Sequence, residues 1–546
     1  MKLTLEILTL TTLTQSGSES AVTSNVILSR LFFGLIQWPL ICRRPDAIQP
    51  GEKTVSVARC MNVTVVLTVV LAASVCSIGR ADQLSHQQGR EALLKAVQFF
   101  SHDVSAGGGC LWQYSSDLSQ REGERQAKAS QIWVQPPGTP SVGEAFLEAW
   151  LITREPALLK AARSAAHALA NGQLVSGGWD YVIEFDPKHR PSRAYRLDVA
   201  ATGRPAAAKA KNVTTLDDDT TQSALRFLMK IDAVLEFGDA KIHSAVKYAL
   251  ENLLKAQYPN GAWPQRYSEF PVADEFPIKP AAYPPVWPRE HPKLDYRGYY
   301  TFNDNTLADL IDTFFLAGEI YRNDEYSQAA RRAGDFILLA QMPEPQPAWA
   351  QQYNADMHPA WARRFEPASI TGGESQGVIR ILMSLYRQTA DDRYLKPVPR
   401  ALDYLDRSKL TDGRLARFYE LKTNRPLYFT TEYVLTCKDN DLPTHYGFKI
   451  SSYVDRLRSE FAQTKSAGRS TQPLWTSKRS RPGSSKSLTN QAAKLIDQMD
   501  SRGAWTEDGN LRAKGNDVRP RKIITTRTFM RNLRTLSRFV AASQTN

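Results

Sequence analysis

One short phrase recurs along the chain between stretches of helical periodicity. It is a tight turn followed by tryptophan, and the copies at Trp112, Trp179, Trp263 and Trp349 are about 70 to 85 residues apart. This is the length of a helix pair with its loops. Because such a pair can bury its apolar faces only against neighbouring pairs, the repeat predicts an all-α chain. We expect an α/α toroid, an incomplete α/α barrel of repeated helix hairpins, with the turn-Trp loops at one rim.

The segments between these turns carry apolar residues three or four positions apart, which is the spacing of amphipathic helices. Strand-like alternation is scarce. The tryptophans are expected mostly to pack in the core, the usual place of aromatic side chains. The predicted helices cover 87–100, 142–151, 157–169, 222–235, 240–254, 307–321, 327–339, 374–386, 401–405, 495–505 and 523–540.

The N-terminal part differs from the rest of the chain. Residues 1–60 lack a continuing period and are interpreted as an unstructured leader or an overlong start. Residues 61–81 contain an apolar run and end in small residues, the pattern of a secretory signal peptide, and the run is too short for a permanent membrane span. We therefore expect an exported protein, periplasmic or extracellular. Only Cys110 and Cys437 follow the signal, so neither a disulfide framework nor a thiolate metal site is expected.

The positive charge is concentrated near the C-terminus. The formal net charge is +13, and the residues from Ala462 onward contain 17 Lys/Arg against five Asp/Glu, a surplus of 12. Aromatic residues are rarely interleaved with these cations, so a nucleic-acid partner is not expected. We predict a toroid at 82–465, a basic flexible linker at 466–487 and C-terminal helices at 488–546 that pack on the toroid. A monomer is expected.

Two oxygen-rich segments come directly before predicted helices. The first is Asp217-Asp218-Asp219, and three adjacent carboxylates repel one another unless a cation, an arginine or a proton intervenes. Simple helix capping is the alternative, but one Asp is enough for a cap, so Asp219 is assigned to that role. The second segment contains Asp304 between two asparagines. Two such helix starts in a repeated array are predicted to meet at one rim of the toroid. A common site there suits Ca²⁺, which prefers oxygen ligands.

Two later segments combine arginine, glutamate and aromatic residues outside the predicted helices. They span 359–367 and 416–427. Arginines in such loops suit the recognition of planar carboxylates in a ligand. Structural Arg-Glu pairing between the loops is an equally good reading of the same pattern.

Taken in order, these motifs resemble those of the pectate lyases of polysaccharide lyase family ten. The resemblance covers roughly residues 87 to 450 and implies an α/α toroid that cleaves polygalacturonate by β-elimination with calcium and an arginine base. The motifs that carry it are Thr215-Leu216-Asp217-Asp218-Asp219, Gly261-Ala262-Trp263-Pro264-Gln265, Thr301-Phe302-Asn303-Asp304-Asn305, Ala362-Arg363-Arg364-Phe365-Glu366, Gly372-Gly373-Glu374-Ser375 and Thr423-Asn424-Arg425-Pro426.

The resemblance also assigns roles to residues of this chain. It implies that Arg425, chosen over Arg417 on spacing, is the base, that Arg363 clamps a uronate carboxylate and that Asp217 acts at the reacting sugar. It further implies calcium ligands at Asp304 and Asp218, the latter also near the substrate. The remaining residues expected to contact substrate are Arg417, Trp263 and Glu366.

This sequence departs from the family pattern at two places. Asp217-Asp218 stands where Asp-Asn is expected, which adds a carboxylate that can alter calcium affinity. The segment from Asp274 to Arg297 contains six prolines and is interpreted as an insertion that reshapes the cleft.

Two other classes of protein share parts of the pattern. The phrase Gln-x-x-x-Gly-x-Trp at 173–179 and 257–263 also occurs in triterpene cyclases, which are helical toroids. Their acidic Asp-x-Asp-Asp motif is absent, because Thr215 occupies its first position. A non-catalytic toroid that binds acidic glycans is the other alternative, since catalysis depends on fine placement that a sequence does not reveal.

Overall fold

The computed structural model describes residues 87–477, 482–483, 485–511 and 522–543. The predicted leader at 1–60 and signal peptide at 61–81 lie outside these residues, as does part of the predicted linker. Within the described ranges, no helix combines the length and the apolar character needed to cross a membrane. The predicted division into domains stays a prediction.

Helices account for most of the ordered structure, and α1 continues into a wider π-helical turn at Phe99–Val104. Short 3₁₀ turns at Asp217–Asp219 and Asn303–Asn305 lead directly into the helices that begin at Thr220 and Thr306. The helices are α1 (87–98), α2 (Thr139–Thr153), α3 (Pro156–Asn171), α4 (Arg196–Thr202), α5 (Thr220–Val234), α6 (Ala240–Lys255), α7 (Thr306–Tyr321), α8 (Asp324–Leu339), α9 (Gly372–Thr389), α10 (Val398–Arg407), α11 (Val454–Ala467), α12 (Lys486–Asp497) and α13 (Thr526–Ser543).

The strands are two to four residues long, and they pair in small sheets of two or four strands. The strands are β1 (Gln113–Ser115), β2 (Arg121–Glu122), β3 (Gln131–Trp133), β4 (Val182–Glu184), β5 (Thr214–Thr215), β6 (Arg266–Tyr267), β7 (Tyr300–Thr301), β8 (Gln352–Tyr353), β9 (Ile370–Thr371), β10 (Leu415–Ala416), β11 (Phe418–Tyr419), β12 (Pro426–Phe429), β13 (Leu435–Thr436), β14 (Lys449–Ile450), β15 (Glu507–Asp508) and β16 (Lys522–Thr525). Their ladders are antiparallel, in the orders β15-β16-β1-β2, β13-β12-β11-β9, β10-β14, β3-β4, β5-β6 and β7-β8.

Helix hairpins follow one another around a ring. α2 packs on α3 and α5, α5 on α6 and α7, α7 on α8, α8 on α9, and α9 on α10 and α11. The ring closes because α13 packs against α2. Phe529 of α13 also stacks on Phe100 of the π-helical turn, with a centroid separation of 3.7 Å. The predicted all-α class and α/α toroid are therefore confirmed.

The repeated phrase has the same structural role in successive hairpins. The indole nitrogens of Trp179, Trp263 and Trp505 each donate to a carbonyl oxygen at 2.8 Å, and each of these oxygens lies near the end of the preceding helix. In the described chain, Trp179 and Trp263 are fully buried. The tryptophan therefore closes the end of one helix and fills the core beneath it.

The glutamine and glycine of the phrase fix the next helix in place. The Gln257 amide donates to Gly261 O and to Ala329 O in α8, both at 2.9 Å, and Gln173 repeats this pattern with α6. Gly261 has φ +94°, and a Cβ there would lie 2.0 Å from the carbonyl oxygen of Arg332. The phrase shared with triterpene cyclases is thus explained here by packing between hairpins.

Most predicted helices are present with shifted ends, and one prediction is wrong. The helix predicted at 495–505 ends with α12 at Asp497, and a turn containing Gly503 (φ +100°) follows. The helix predicted from 523 begins three residues later, because Lys522–Thr525 pair with β1 as a strand. At the linker, residues 466 and 467 belong to α11, and 486 and 487 belong to α12.

Candidate active site

The starts of α5 and α7 are built alike and pack against each other. In each 3₁₀ turn two successive residues have positive φ: Asp218 (55°) and Asp219 (56°) in one, Asp304 (46°) and Asn305 (60°) in the other. Asp and Asn tolerate this left-handed conformation better than other residues with a Cβ, which explains why they occur here. The Leu216 carbonyl joins the two turns by accepting from the Thr306 hydroxyl at 3.2 Å.

Three carboxylates meet where these turns touch. Asp217, Asp218 and Asp304 each offer an oxygen, and these oxygens lie within 4.8 Å of one another. Burial raises the pKa of Asp218 to about 6, and the charge of Asp217 adds to the effect. Burial, followed by the charges of Asp217 and Asp218, raises the pKa of Asp304 to about 7. The three carboxylates therefore favour a proton or a cation among them.

The carboxylate triad, Asp217, Asp218 and Asp304, fits a hard divalent cation. Asp217 Oδ1 is buried and has no hydrogen-bond partner among the described residues, so one oxygen remains available as a ligand. Ca²⁺ takes about six to eight oxygen ligands, and carboxylates are its commonest protein ligands. Asn303 orients one member of the triad by donating to Asp304 Oδ2 at 2.6 Å.

Asp219 is not part of the triad, and its predicted position at the N-cap of α5 is confirmed. It occupies the N-cap position of α5, but its side chain makes no capping hydrogen bond in the described structure. Both of its carboxylate oxygens accept from Arg226 Nη2, at 2.7 and 2.6 Å.

Two residues at the triad were missed in the sequence. The Tyr181 hydroxyl lies 3.2 Å from both Asp217 Oδ2 and Asp218 Oδ2. Arg266 Nη2 donates to Asp217 Oδ2 at 3.2 Å and to the Tyr181 hydroxyl at 3.1 Å. Both residues lie two or three positions after a repeated tryptophan. Their signal was therefore the position in the repeat, which puts these side chains at the same rim as the acidic turns.

Arg363 lies beside the triad and is held by a buried glutamate. It donates to Glu366 through Nε at 2.8 Å and through Nη2 at 2.6 Å. Burial alone would lower the pKa of Arg363, but the contacts with Glu366 raise it above its usual value. The positive charge of Arg363 acts in turn on Asp218 and Asp304, where it opposes the rise in pKa. The predicted clamp and the predicted metal ligands are thus brought together.

Glu366 was expected to bind substrate, but its side chain is buried and its oxygens are occupied. Besides Arg363, the Tyr446 hydroxyl donates to Glu366 Oε1 at 3.1 Å. The prediction of substrate contact is therefore wrong, and Glu366 positions Arg363. Arg417 lies on the other side of Tyr446, with its guanidinium carbon 4.6 Å from the ring centroid and Nη1 3.5 Å from Glu374 Oε1.

Two other predicted site residues lie elsewhere. Trp263 is fully buried and stacks on Phe314 at 5.2 Å, so the prediction that it contacts substrate is wrong. Arg425 is 60% exposed and donates through Nε to Glu420 Oε2 at 2.7 Å. The groups that raise the pKa of Arg425 are Glu420 and Cys437, not the triad. The structure does not bring Arg425 to the three carboxylates.

The helical toroid and the three carboxylates with arginines beside them are the setting in which the comparisons with known proteins are made. Residues 173–415, which include the triad, Arg266 and Arg363, match the family described as pectic acid lyase, and this confirms the resemblance seen in the sequence. A search among curated proteins finds no match to the chain.

Several solved structures are similar at low identity. A family 10 polysaccharide lyase from Cellvibrio cellulosa is 20% identical, with 60% of this chain and 97% of that chain covered and a TM-score of 0.40. Its aspartate-to-alanine mutant in complex with trigalacturonic acid is 21% identical, with 60% and 98% covered and a TM-score of 0.39. A D-mannose isomerase is 13% identical, with 82% and 96% covered and a TM-score of 0.39.

Proposed function

We propose that this protein is an exported pectate lyase that cleaves polygalacturonate by calcium-assisted β-elimination. The observation that carries the proposal is the convergence of Asp217, Asp218 and Asp304 within 4.8 Å, with Arg363 beside them. A uronate polymer brings a carboxylate on every sugar, and a site that combines a divalent cation with a guanidinium suits that charge.

The reaction requires a base, a neutralised carboxylate and a leaving group. The base removes the proton on C5, the C5–H electron pair forms the C4=C5 double bond, and the C4–O bond breaks, so that the departing oxygen takes a proton. Bound calcium would supply Lewis-acid stabilisation of the charge that develops on the adjacent carboxylate. Asp217, Asp218 and Asp304 would hold the ion.

The side chains of this chain then orient the sugar. Glu366 holds Arg363 through Nε and Nη2, so the remaining nitrogen, Nη1, is kept in a set direction for the bound sugar. Arg266 and Tyr181 hold Asp217, which keeps the triad in place before substrate arrives. Preorganisation of this kind avoids reorganisation during the reaction.

The base is the point at which motif and geometry differ. The motif assigns it to Arg425, but the C5 proton lies next to the carboxylate that the site must bind, so base and carboxylate-binding groups must be adjacent. We therefore propose Arg363 as the base. Because Glu366 keeps the pKa of Arg363 above its usual value, the neutral guanidine is scarce and activity is expected at alkaline pH.

The direct test uses the purified protein with polygalacturonate and Ca²⁺ at alkaline pH. The expected result is an unsaturated product that absorbs in the near ultraviolet. Its formation should stop when calcium is chelated. Binding of the polymer without any rise in absorbance would contradict the proposal and would favour the non-catalytic glycan-binding toroid.

A further inference from the structure

The proline-rich insert, residues 268–299 between β6 and β7, is anchored along much of its length. Lys279 Nζ lies 2.7 Å from Asp356 Oδ1, and the Tyr258 hydroxyl donates to Gly298 O at 2.7 Å. Between these points, Arg289 forms an ion pair with Glu420, and His291 Nε2 lies 3.1 Å from Ala362 O. The insert therefore connects the loop that carries Arg425 with the loop that carries Arg363.

Arg289 and Arg425 share one buried carboxylate. The side chain of Glu420 is fully buried, whereas those of Arg289 and Arg425 are 53% and 60% exposed. Burial alone would raise the pKa of Glu420, but hydrogen bonds from Arg425, Thr423 and Arg289 lower it to about 2. One anion beneath two solvent-facing cations leaves a net positive charge at the surface.

Lys422 extends this positive surface. Its Nζ lies 5.8 Å from the ring centroids of both Tyr283 and Trp287, two aromatic residues of the insert. The guanidinium carbon of Arg289 lies 5.6 Å from the same Trp287 ring. Cation–π contacts of this kind restrict long basic side chains. The distal cationic patch, defined as Arg289, Lys422 and Arg425, is thus a built arrangement and not a set of unconnected surface charges.

The patch lies close to the candidate active site along the insert. His291 is two residues after Arg289 and contacts the carbonyl of Ala362, the neighbour of Arg363. Further along the insert, Tyr296 lies close enough to Arg363 and Asp217 for both charges to affect the pKa of its hydroxyl. The segment from Arg289 to Tyr296 can span at most about 25 Å when fully extended. A polymer bound at the triad can therefore reach the patch.

We propose that the distal cationic patch is a subsite that binds a carboxylate of the polyuronate chain several sugars away from the bond that is cleaved. The proposal rests on the proposed function, because it takes an acidic polysaccharide as the ligand. Guanidinium groups match planar carboxylates in two parallel hydrogen bonds, and Arg289 and Arg425 each keep part of that fork exposed. Cations of one sign beside a cleft also raise the local concentration of a polyanion.

The test compares a long polygalacturonate with trigalacturonate, which we expect to be too short to occupy both places. Affinity for each is measured by isothermal titration calorimetry for the wild type, Arg289→Ala, Arg425→Ala and the double variant. We expect each single variant to weaken polymer binding about tenfold and the double variant more, with a much smaller effect on the trimer. Arg289→Lys keeps the charge but not the paired hydrogen bonds, so it should recover only part of the polymer affinity.

Lys279→Ala is the matched control, because Lys279 is a basic residue of the same insert whose partner Asp356 is exposed. It should bind both ligands as the wild type does, and thermal unfolding of every variant reports whether the insert is kept. Equal losses for polymer and trimer, or no loss for either, would overturn the subsite. If the wild type binds polymer but forms no unsaturated product, the proposed lyase function fails, and the same binding comparison still decides the subsite.

Discussion

The carboxylates of Asp217 and Asp304 come from the starts of two different helices and offer oxygens within 4.8 Å of each other. Each follows a short strand and enters a 3₁₀ turn with the same left-handed pair of residues. The N-terminal ends of α5 and α7 both point at this place, and their dipoles favour negative charge there. The repeated hairpin therefore places two copies of one local structure side by side, and their acids form one site.

The first prediction concerns calcium. Asp304→Asn removes one charge from the triad and should weaken calcium binding by about tenfold or more, because ligand charge sets the affinity of such sites. Calorimetric titration of the metal with the purified protein measures this. The control is Asp324→Asn, which changes an exposed aspartate in the first turn of α8. Equal calcium affinity in the two variants would remove Asp304 from the ligand set.

The second prediction concerns pH. In the metal-free protein the pKa of Asp304 is about 7 and that of Asp218 about 6, so protons compete with calcium below neutrality. Calcium affinity should fall as the pH is lowered from 8 to 5, as measured by titration at each pH. A pH-independent affinity over this range would contradict the raised values.

The same shifts predict how stability depends on pH without metal. A carboxyl whose pKa is higher in the folded than in the unfolded state stabilises the fold below the unfolded value, about 4, and this contribution is lost as the pH rises through 7. The melting temperature of the metal-free protein should therefore fall between pH 5 and 8. Calcium should reverse the fall, and Asp304→Asn should reduce it. A melting temperature that does not change between pH 5 and 8 would contradict the raised pKa values of the triad.

The third prediction separates the two arginines. Arg363→Ala should lower kcat on trigalacturonate by about 100-fold or more, the usual cost of removing a general base. Arg425→Ala should have a far smaller effect on kcat with this short substrate, because Arg425 lies at Glu420. Initial rates of product absorbance give both values. The reverse order would restore the assignment made from the motif.

The fourth prediction concerns Glu366, which raises the pKa of Arg363. With Glu366→Gln, the neutral guanidine forms more readily, so the alkaline optimum of kcat should move to lower pH even though kcat itself falls. Tyr446→Phe leaves the glutamate charge in place and serves as the control. If both variants lose activity with no change in the pH profile, Glu366 only supports the loop.

The fifth prediction tests the core position of Trp263. Trp263→Phe removes the hydrogen bond to Leu253 O and part of a buried ring, and should destabilise the protein by about 1 to 3 kcal/mol. KM for trigalacturonate should not change, because the ring is fully buried. Chemical denaturation and initial rates measure the two effects. A raised KM without loss of stability would return Trp263 to the substrate site.

The sequence predicted the features that depend on neighbouring residues. Helical periodicity and the turn-Trp repeat predicted the toroid, and the two acidic helix starts predicted the triad, because each is a local pattern copied at a fixed interval. Tyr181 and Arg266 were missed because their partners lie on other loops. Trp263 was misassigned because the same phrase that marks a rim loop also places its tryptophan in the core.

Loops were the least predictable part. Arg363 and Arg425 lie in similar Arg-Glu segments, and each pairs with a buried glutamate a few residues away. Only the packing of those segments shows that one arginine acts on the triad and the other does not. The ion pair between Arg289 and Glu420 joins an insert to a distant loop, and no sequence pattern contains that contact.

The closure of the ring by α13 has a consequence during synthesis on the ribosome. The apolar side of α2, including Phe146, is covered by Phe529 of α13, with ring centroids 5.6 Å apart. The apolar side of α2 therefore stays exposed to solvent until all the intervening hairpins and α13 have been translated. Contacts between segments this far apart in the sequence also form slowly. A chain truncated before Thr526 would leave the apolar side of α2 exposed, and chaperones and proteases would recognise that surface.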